Sequence, residues 1–265
     1  MKRRHLLTLV AAPLALAFGG ACGRTARAPQ PAIRIAAAAD LRYALDELVG
    51  LFRQAHPGLT VSVSYGSSGN FYAQLLNGAP FDVFLSADLA YPRQLADRNL
   101  AVPHSEFTYG VGRLVVWVPA ASAVDVERLG LQALADRSIA HVAIANPAYA
   151  PYGRAAQAAL QSAGVYEAVK ERLVLGESVS QALQFVQSGA AAAGVVALSL
   201  ALSPPVAAQG RYVTVSPDLY PRMEQGGIVL RAAVDPDAAM AFRAFMLSAP
   251  ASAVLKRFGF YPPAA

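Results

Sequence analysis

The segment "VSYGSSGNFYAQLLNG", residues 63–78, decides how this chain folds. Alternating β-branched and polar residues run into Gly66-Ser67-Ser68-Gly69, and helical spacing follows at once. A strand that ends in this way places backbone N–H groups and two hydroxyls at the start of a helix. Helix N-termini carry unsatisfied donors and a partial positive charge, so such a turn suits an anion.

The turn has counterparts along the chain. "IAAAADLRYALDEL" sets Asp40 between a strand and a helix, "IANPAYAPYGRAAQAAL" sets Pro151-Tyr152-Gly153 before another, and "LGESVSQALQFV" sets Ser178 and Val179 before a third. Each turn alone reads as ordinary capping by Asp40, Ser68 or Ser178. Four together, with small residues where bulky aliphatic ones could stand, point to one site at the carboxyl ends of parallel strands.

Short apolar runs alternate with helical patterns over the rest of the chain, which predicts an α/β fold with a mostly parallel sheet. The expected strands are 33–38, 60–65, 82–86, 114–118, 142–145, 173–175, 194–198, 212–215 and 227–231. The expected helices are 41–54, 70–77, 91–97, 154–163, 180–187, 236–247 and 251–258. In the first helix, Leu41, Leu45, Leu48 and Phe52 share a face, with Arg42, Asp46, Glu47 and Arg53 off it. Composition marks no domain boundary.

The N-terminus reads as an export signal. Lys2, Arg3 and Arg4 precede an apolar stretch from Leu6 to Phe18, too short to span a bilayer, and then small residues before Cys22. Cys22 is the only cysteine in the chain and stands where a lipoprotein signal places its acylated residue, although Gly19 replaces the usual bulky aliphatic residue. An alternative is simple cleavage near Ala26-Arg27-Ala28, and Arg3-Arg4 permits twin-arginine export. The expectation is a signal peptide over 1–21 and a lipid-anchor tether over 22–31, placing the protein in the periplasm or outside the cytoplasm, attached to the membrane.

With no cysteine beyond Cys22, the mature chain has neither disulfide nor thiolate metal site. Its formal charge of +5 drops when Lys2, Arg3 and Arg4 leave, and no Lys/Arg block stands out, which argues against nucleic acid. Enzyme readings find little to assemble. Gly66-Ser67-Ser68-Gly69 resembles a nucleophile elbow but lacks the G-x-S-x-G pattern, and the mature chain holds only His56, His104 and His141 as candidate bases. There is no HExxH, Walker lysine loop or dinucleotide fingerprint. The expectation is therefore no enzyme, no catalytic residue and no metal site, with a secreted serine hydrolase using Ser68 as the alternative of another class.

"AAAADLRYALDELVGLFRQAHPGLTVSVSYGSSGNFYAQLLNGAPFDVFLSAD" (36–88), "NPAYAPYGRAA" (146–156), "GESVSQAL" (176–183) and "VLKRFGF" (254–260) occur in an order that resembles the periplasmic molybdate-binding proteins of bacterial ABC importers. Asp82 and Asp88 belong to these segments as structural features. The resemblance covers the mature chain. It implies a two-lobed periplasmic binding protein fold (type II-like), each lobe a mixed sheet flanked by helices, with the ligand cleft between. Lobe 1 would comprise 32–110 and 222–265, and lobe 2 111–221. It implies a monomeric receptor that takes a small tetrahedral oxyanion, molybdate or tungstate, without a further cofactor. The receptor would deliver it to an ABC permease and its ATPase.

Carried over by position, the oxyanion ligands fall on Asp40, Ser68, Tyr152 and Val179, with Ala197 at a fifth place. Ser68 keeps a hydroxyl, and Tyr152 and Val179 would offer backbone N–H groups. Asp40 stands where a serine donor is expected, and Ala197 where a tyrosine hydroxyl is expected. An ionised carboxylate only accepts hydrogen bonds, so Asp40 facing a bare oxyanion would repel it. Three readings remain open. Asp40 caps its helix; or it is protonated, or takes a proton from a hydrogen-bearing oxyanion; or with Tyr43, Tyr65 or Tyr152 it holds a metal cation or chelate. A receptor for another oxyanion or a metal species is accordingly the alternative within the class.

Overall fold

The computed structural model describes residues 32–263. Cys22 and the segments expected as signal and tether lie outside the described residues.

Two five-stranded sheets organise the chain. The first has the order β2-β1-β3-β10-β4, from β1 (Ala32–Ala38), β2 (Thr60–Gly66), β3 (Val83–Ser86), β4 (Phe107–Gly112) and β10 (Met223–Val229). The second has the order β7-β6-β8-β5-β9, from β5 (Leu114–Pro119), β6 (Val142–Ala145), β7 (Leu173–Gly176), β8 (Ala193–Ala197) and β9 (Gly210–Thr214). Each sheet is parallel through three strands and antiparallel through the other two. In each, the first antiparallel strand enters from the other sheet's side of the chain. The crossing from β4 to β5 needs only Arg113, and the return runs from β9 to β10.

The strand cores are near-continuous apolar runs, as sheets covered on both faces require. Val83–Ser86, Val142–Ala145 and Ala193–Ala197 are buried throughout. The helix Arg42–Ala55 turns Ala44, Leu45, Leu48, Val49 and Phe52 into the first lobe, the face expected from its spacing. Phe52 meets Phe242 edge-on, with ring centroids 5.1 Å apart. This fastens the helix to the C-terminal segment Pro236–Met246. Each such fully buried side chain stabilises the fold by roughly 1.5–3 kcal/mol.

The two-lobed α/β expectation therefore holds, with local differences, among them β10, which runs Met223–Val229 where 227–231 was expected. β4 lies in "FTYGVG", where paired glycines hide the strand pattern. The helices at Ser68–Leu76, Pro151–Ser162 and Val179–Gln187 also begin one to three residues earlier than expected. Their first turns thereby reach back to the residues that face the cleft.

A buried carboxylate pins the first sheet. Asp82 Oδ2 accepts from the Arg34 backbone N–H at 2.7 Å and from Arg34 Nε at 3.0 Å. Its Oδ1 accepts from the second Arg34 guanidinium nitrogen at 2.9 Å and from Val234 N at 2.9 Å. Burial alone would raise its pKa, but the bonds from Arg34 and Val234, helped by the Arg34 charge, together hold it below the usual carboxylate range.

Candidate binding cleft

A small cavity of about 190 Å3, mouth included, lies where the lobes meet. The ends of β1 and β2 contribute Ala38, Asp40, Ser67 and Ser68 from one side, and Tyr152 and Val179 come from the other. All four residues expected at the site, Asp40, Ser68, Tyr152 and Val179, therefore line one cavity. Ala197 does not line it; it is fully buried in β8, opposite Leu114.

Local structure explains the convergence. Tyr152 and Val179 stand in the first turns of their helices, where the backbone N–H groups have no intrahelical acceptor. Pro151 opens the Tyr152 helix at the position where a missing N–H costs nothing. Ser178 is the N-cap of its helix, accepting from Gln181 N at 3.3 Å, which leaves Val179 N free of it. Gly69 lets the lobes approach. Its N–H donates to Tyr149 O at 2.9 Å, and a Cβ there would run into that carbonyl.

The hydroxyls are arranged to donate. Ser68 Oγ accepts from Ala87 N at 3.0 Å, so its own proton remains available. Ser67 Oγ is buried without a partner. A buried unmade hydrogen bond costs about 1–3 kcal/mol, so such a group marks a place where a ligand can repay the cost. The sequence shows Ser67 as a hydroxyl on the turn, but the resemblance carries no ligand position onto it.

Asp40 does not cap a helix. It lies in a short 3-10 turn, Ala39–Leu41, and neither that turn nor the helix after it has a side-chain cap. Its side chain is 1% exposed. Oδ2 accepts from Gln225 Nε2 at 2.7 Å, while Oδ1 has no partner. Burial pushes its pKa up to about 6; the Gln225 bond, with smaller contributions from the nearby Tyr152 hydroxyl and local backbone N–H groups, none of which bonds Oδ1, opposes the rise without cancelling it. The same burial, with the Asp40 charge beside them, pushes the phenols of Tyr109 and Tyr152 far up, so both stay neutral.

Behind Asp40 is a relay that joins the lobes. Gln225 Nε2 also donates to Tyr152 Oη at 3.1 Å, and Tyr109 Oη lies 3.0 Å from Gln225 Oε1 and 2.9 Å from Ser86 O. Gly112, at the crossing, is in close contact with this group, and a Cβ there would meet both Tyr152 Oη and Gln225 Nε2. Gln225 and Tyr109 were not anticipated. They lie 185 and 69 positions from Asp40 in sequence, and Gln225 falls ahead of the strand expected over 227–231.

The lobes also meet directly. Ser180 Oγ donates to Ala39 O at 2.9 Å, Ser199 Oγ to Asp40 O at 2.8 Å, and Arg154 pairs with Asp88 at 2.7 Å.

The alternative chemistries find no support in this arrangement. No histidine lines the cavity among the described residues, and Ser68 Oγ is bonded to a backbone N–H rather than to a base. Of the three phenols considered beside Asp40, Tyr65 donates to Asp46 at 2.6 Å and, like Tyr43, is absent from the cavity wall, whereas Tyr152 lines it. Among the described residues there is no cluster of three or more histidine, cysteine or acidic side chains able to hold a metal ion. Among the described residues no lysine or arginine lines the cavity either. What the site offers a ligand is neutral donors, helix N-termini and one carboxyl group.

This architecture defines a two-lobed receptor for a small solute, and the chain belongs to the bacterial extracellular solute-binding protein family, whose model matches residues 33–261. Among its relatives is the molybdate-binding protein ModA of Rhodobacter capsulatus, 38% identical over 225 residues, which are 85% of this chain and 86% of that protein. ModA of Azotobacter vinelandii is 37% identical over 248 residues, covering 93% and 96%. The solved structure of an Azotobacter vinelandii periplasmic molybdate-binding protein superposes with a TM-score of 0.81 at 33% identity, covering 88% of this chain and all of that one.

Proposed function

We propose that this chain is the substrate-binding component of a molybdate ABC importer, working outside the cytoplasm with a membrane permease and its ATPase. Lobes formed by 32–110 with 222–265 and by 111–221 close over one tetrahedral oxyanion. Ser68, Tyr152 and Val179 donate to it, with Ser67 beside them, and Asp40 faces it. The protein acts without catalysis, as a monomer, anchored through lipid on Cys22.

The observation that carries this reading is the pair of cavity hydroxyls, one without any partner, set among helix N-termini with no cation on the wall. A dehydrated anion satisfies these groups, and a cation would not. Sequence relatives that bind molybdate support the choice of ion. Tungstate, a tetrahedral dianion with the same hydrogen-bonding pattern, is expected to bind as well.

The test is calorimetric titration of the mature protein with molybdate, tungstate, sulfate, phosphate and ferric salts at pH 6. Molybdate and tungstate should lead. Ser68→Ala should weaken molybdate about tenfold or more, since a hydrogen bond to a charged group contributes roughly 1.5–3 kcal/mol. Tight binding of ferric ion with none of molybdate would overturn the reading.

A further inference from the structure

Asp40 is an acidic residue in an anion site, and its surroundings explain how both can stand. It lines the cavity, is almost fully buried, and keeps Oδ1 without a partner while Oδ2 is fixed by Gln225. An ionised carboxylate there would oppose a dianion in a site with little water to screen the two charges. A carboxylic acid in the same position would supply a donor, as the hydroxyl of a serine does.

The elements packed around Asp40 offer no charge that would hold it ionised. The Tyr152 helix presents the Tyr152 phenol, while its Arg154 is committed to Asp88. β4 presents Tyr109 and β10 presents Gln225, with Glu224 paired to Arg222. Arg34 of β1 is committed to Asp82, and Arg42, on the following helix, lies over the Tyr65 ring. Ser180 and Ser199, from the second lobe, bond to the backbone carbonyls of Ala39 and Asp40. The groups that act on the carboxyl are the neutral donors Gln225 and Tyr152 and the local backbone, and no charged side chain among the described residues shifts it.

We propose that Asp40 acts as a carboxylic acid in the ligand-bound state, so that where the free carboxyl is ionised one proton is taken up from solvent with each molybdate and lies in a hydrogen bond between Asp40 Oδ1 and an oxyanion oxygen. Whether this proton is written on the carboxyl or on the oxyanion, the balance is the same: dianion plus one proton enter, and the site gains one negative charge. The inference deepens the assignment of the cleft to molybdate and rests on it.

Asp40 thereby determines specificity as well as affinity. The shared-proton bond strengthens with the basicity of the oxyanion oxygen, so sulfate, a very weak base, gains least from it. The free site is prepared for this step, because burial already brings Asp40 to a pKa of about 6. Binding should be nearly independent of pH below 6 and weaken about tenfold per unit above it. From pH 5 to pH 8 the loss is about a hundredfold.

The experiment is calorimetric titration of the whole mature protein with sodium molybdate at pH 8, in buffers of contrasting ionisation enthalpy such as Tris and HEPES. The dependence of the observed heat on buffer gives the protons exchanged. The wild type should take up close to one proton per molybdate. Asp40→Asn, which keeps the shape and offers an amide donor, should take up none and bind with an affinity independent of pH between 6 and 8. Circular dichroism verifies that this variant is folded. Molybdate binding by the wild type with no proton uptake would overturn the proposal and leave the receptor assignment intact. No molybdate binding at pH 5 or at pH 8 would overturn both.

Discussion

Asp82 and Asp40 are both 1% exposed, and the molecule treats them in opposite ways. Asp82 sits inside one lobe and accepts four hydrogen bonds, three of them from Arg34 and one from Val234 N. Asp40 sits between the lobes, with an oxygen that nothing in the protein satisfies. Burial pushes both upward, yet Asp82 ends below the ordinary carboxylate range and Asp40 ends at about 6. The difference lies in the partners: a charge with its full complement of donors is a structural pin, and one left short is available to a ligand.

The comparison is broken most severely by removing the pin. Asp82→Ala would strand the buried N–H groups of Arg34 and Val234 and release the guanidinium. It should destabilise the fold by about 3 kcal/mol in urea unfolding at pH 7. Molybdate affinity should be unaffected wherever the variant remains folded. A loss under about 1 kcal/mol would place Asp82 among ordinary surface ion pairs.

The opposite sign is expected at Asp40. Its folded pKa is raised above the unfolded value, so the folded state binds the proton more tightly and stability falls as pH rises from about 4 to about 6. Above that window the ligand-free protein carries the whole penalty, on the order of 3 kcal/mol. Asp40→Asn should remove it. The variant should be more stable than the wild type at pH 8, by up to that amount, and the gain should vanish near pH 3.5. For Asp82 the window is inverted: its folded pKa is lowered, and its contribution is present above the unfolded pKa and is lost as pH falls through the folded one. Equal stability of Asp40→Asn and wild type across the whole range would erase the contrast between the two carboxylates.

The two sites also differ in how far sequence reveals them. The turns carrying Asp40, Ser68, Tyr152 and Val179 were legible because each one couples a strand pattern to a helix start through local chemistry. The apolar face of the first helix was legible from its spacing for the same reason. Asp40 stood out as an acceptor where a donor belongs. What made it unusual was not legible: Gln225 and Tyr109 reach it only after the chain has crossed between the lobes and folded back through β10. Capping was a fair local expectation for an aspartate before a helix, and tertiary burial overrode it. Ala197 shows the converse, since its position carried over from the resemblance but the side chain is packed away inside β8. β4 escaped detection because its glycines leave no alternation to read.

The most direct measurement follows the side-chain carboxyl carbons of Asp40 and Asp82 by carbon NMR as pH is varied, without and with saturating molybdate. In the free protein Asp82 should titrate below 3.8 and Asp40 near 6. With molybdate bound, Asp82 should not move, and the Asp40 transition should shift to above pH 8 as the proton becomes locked between carboxyl and oxyanion. An Asp40 that titrates near 4 in the free protein and keeps that value with molybdate bound would contradict the account.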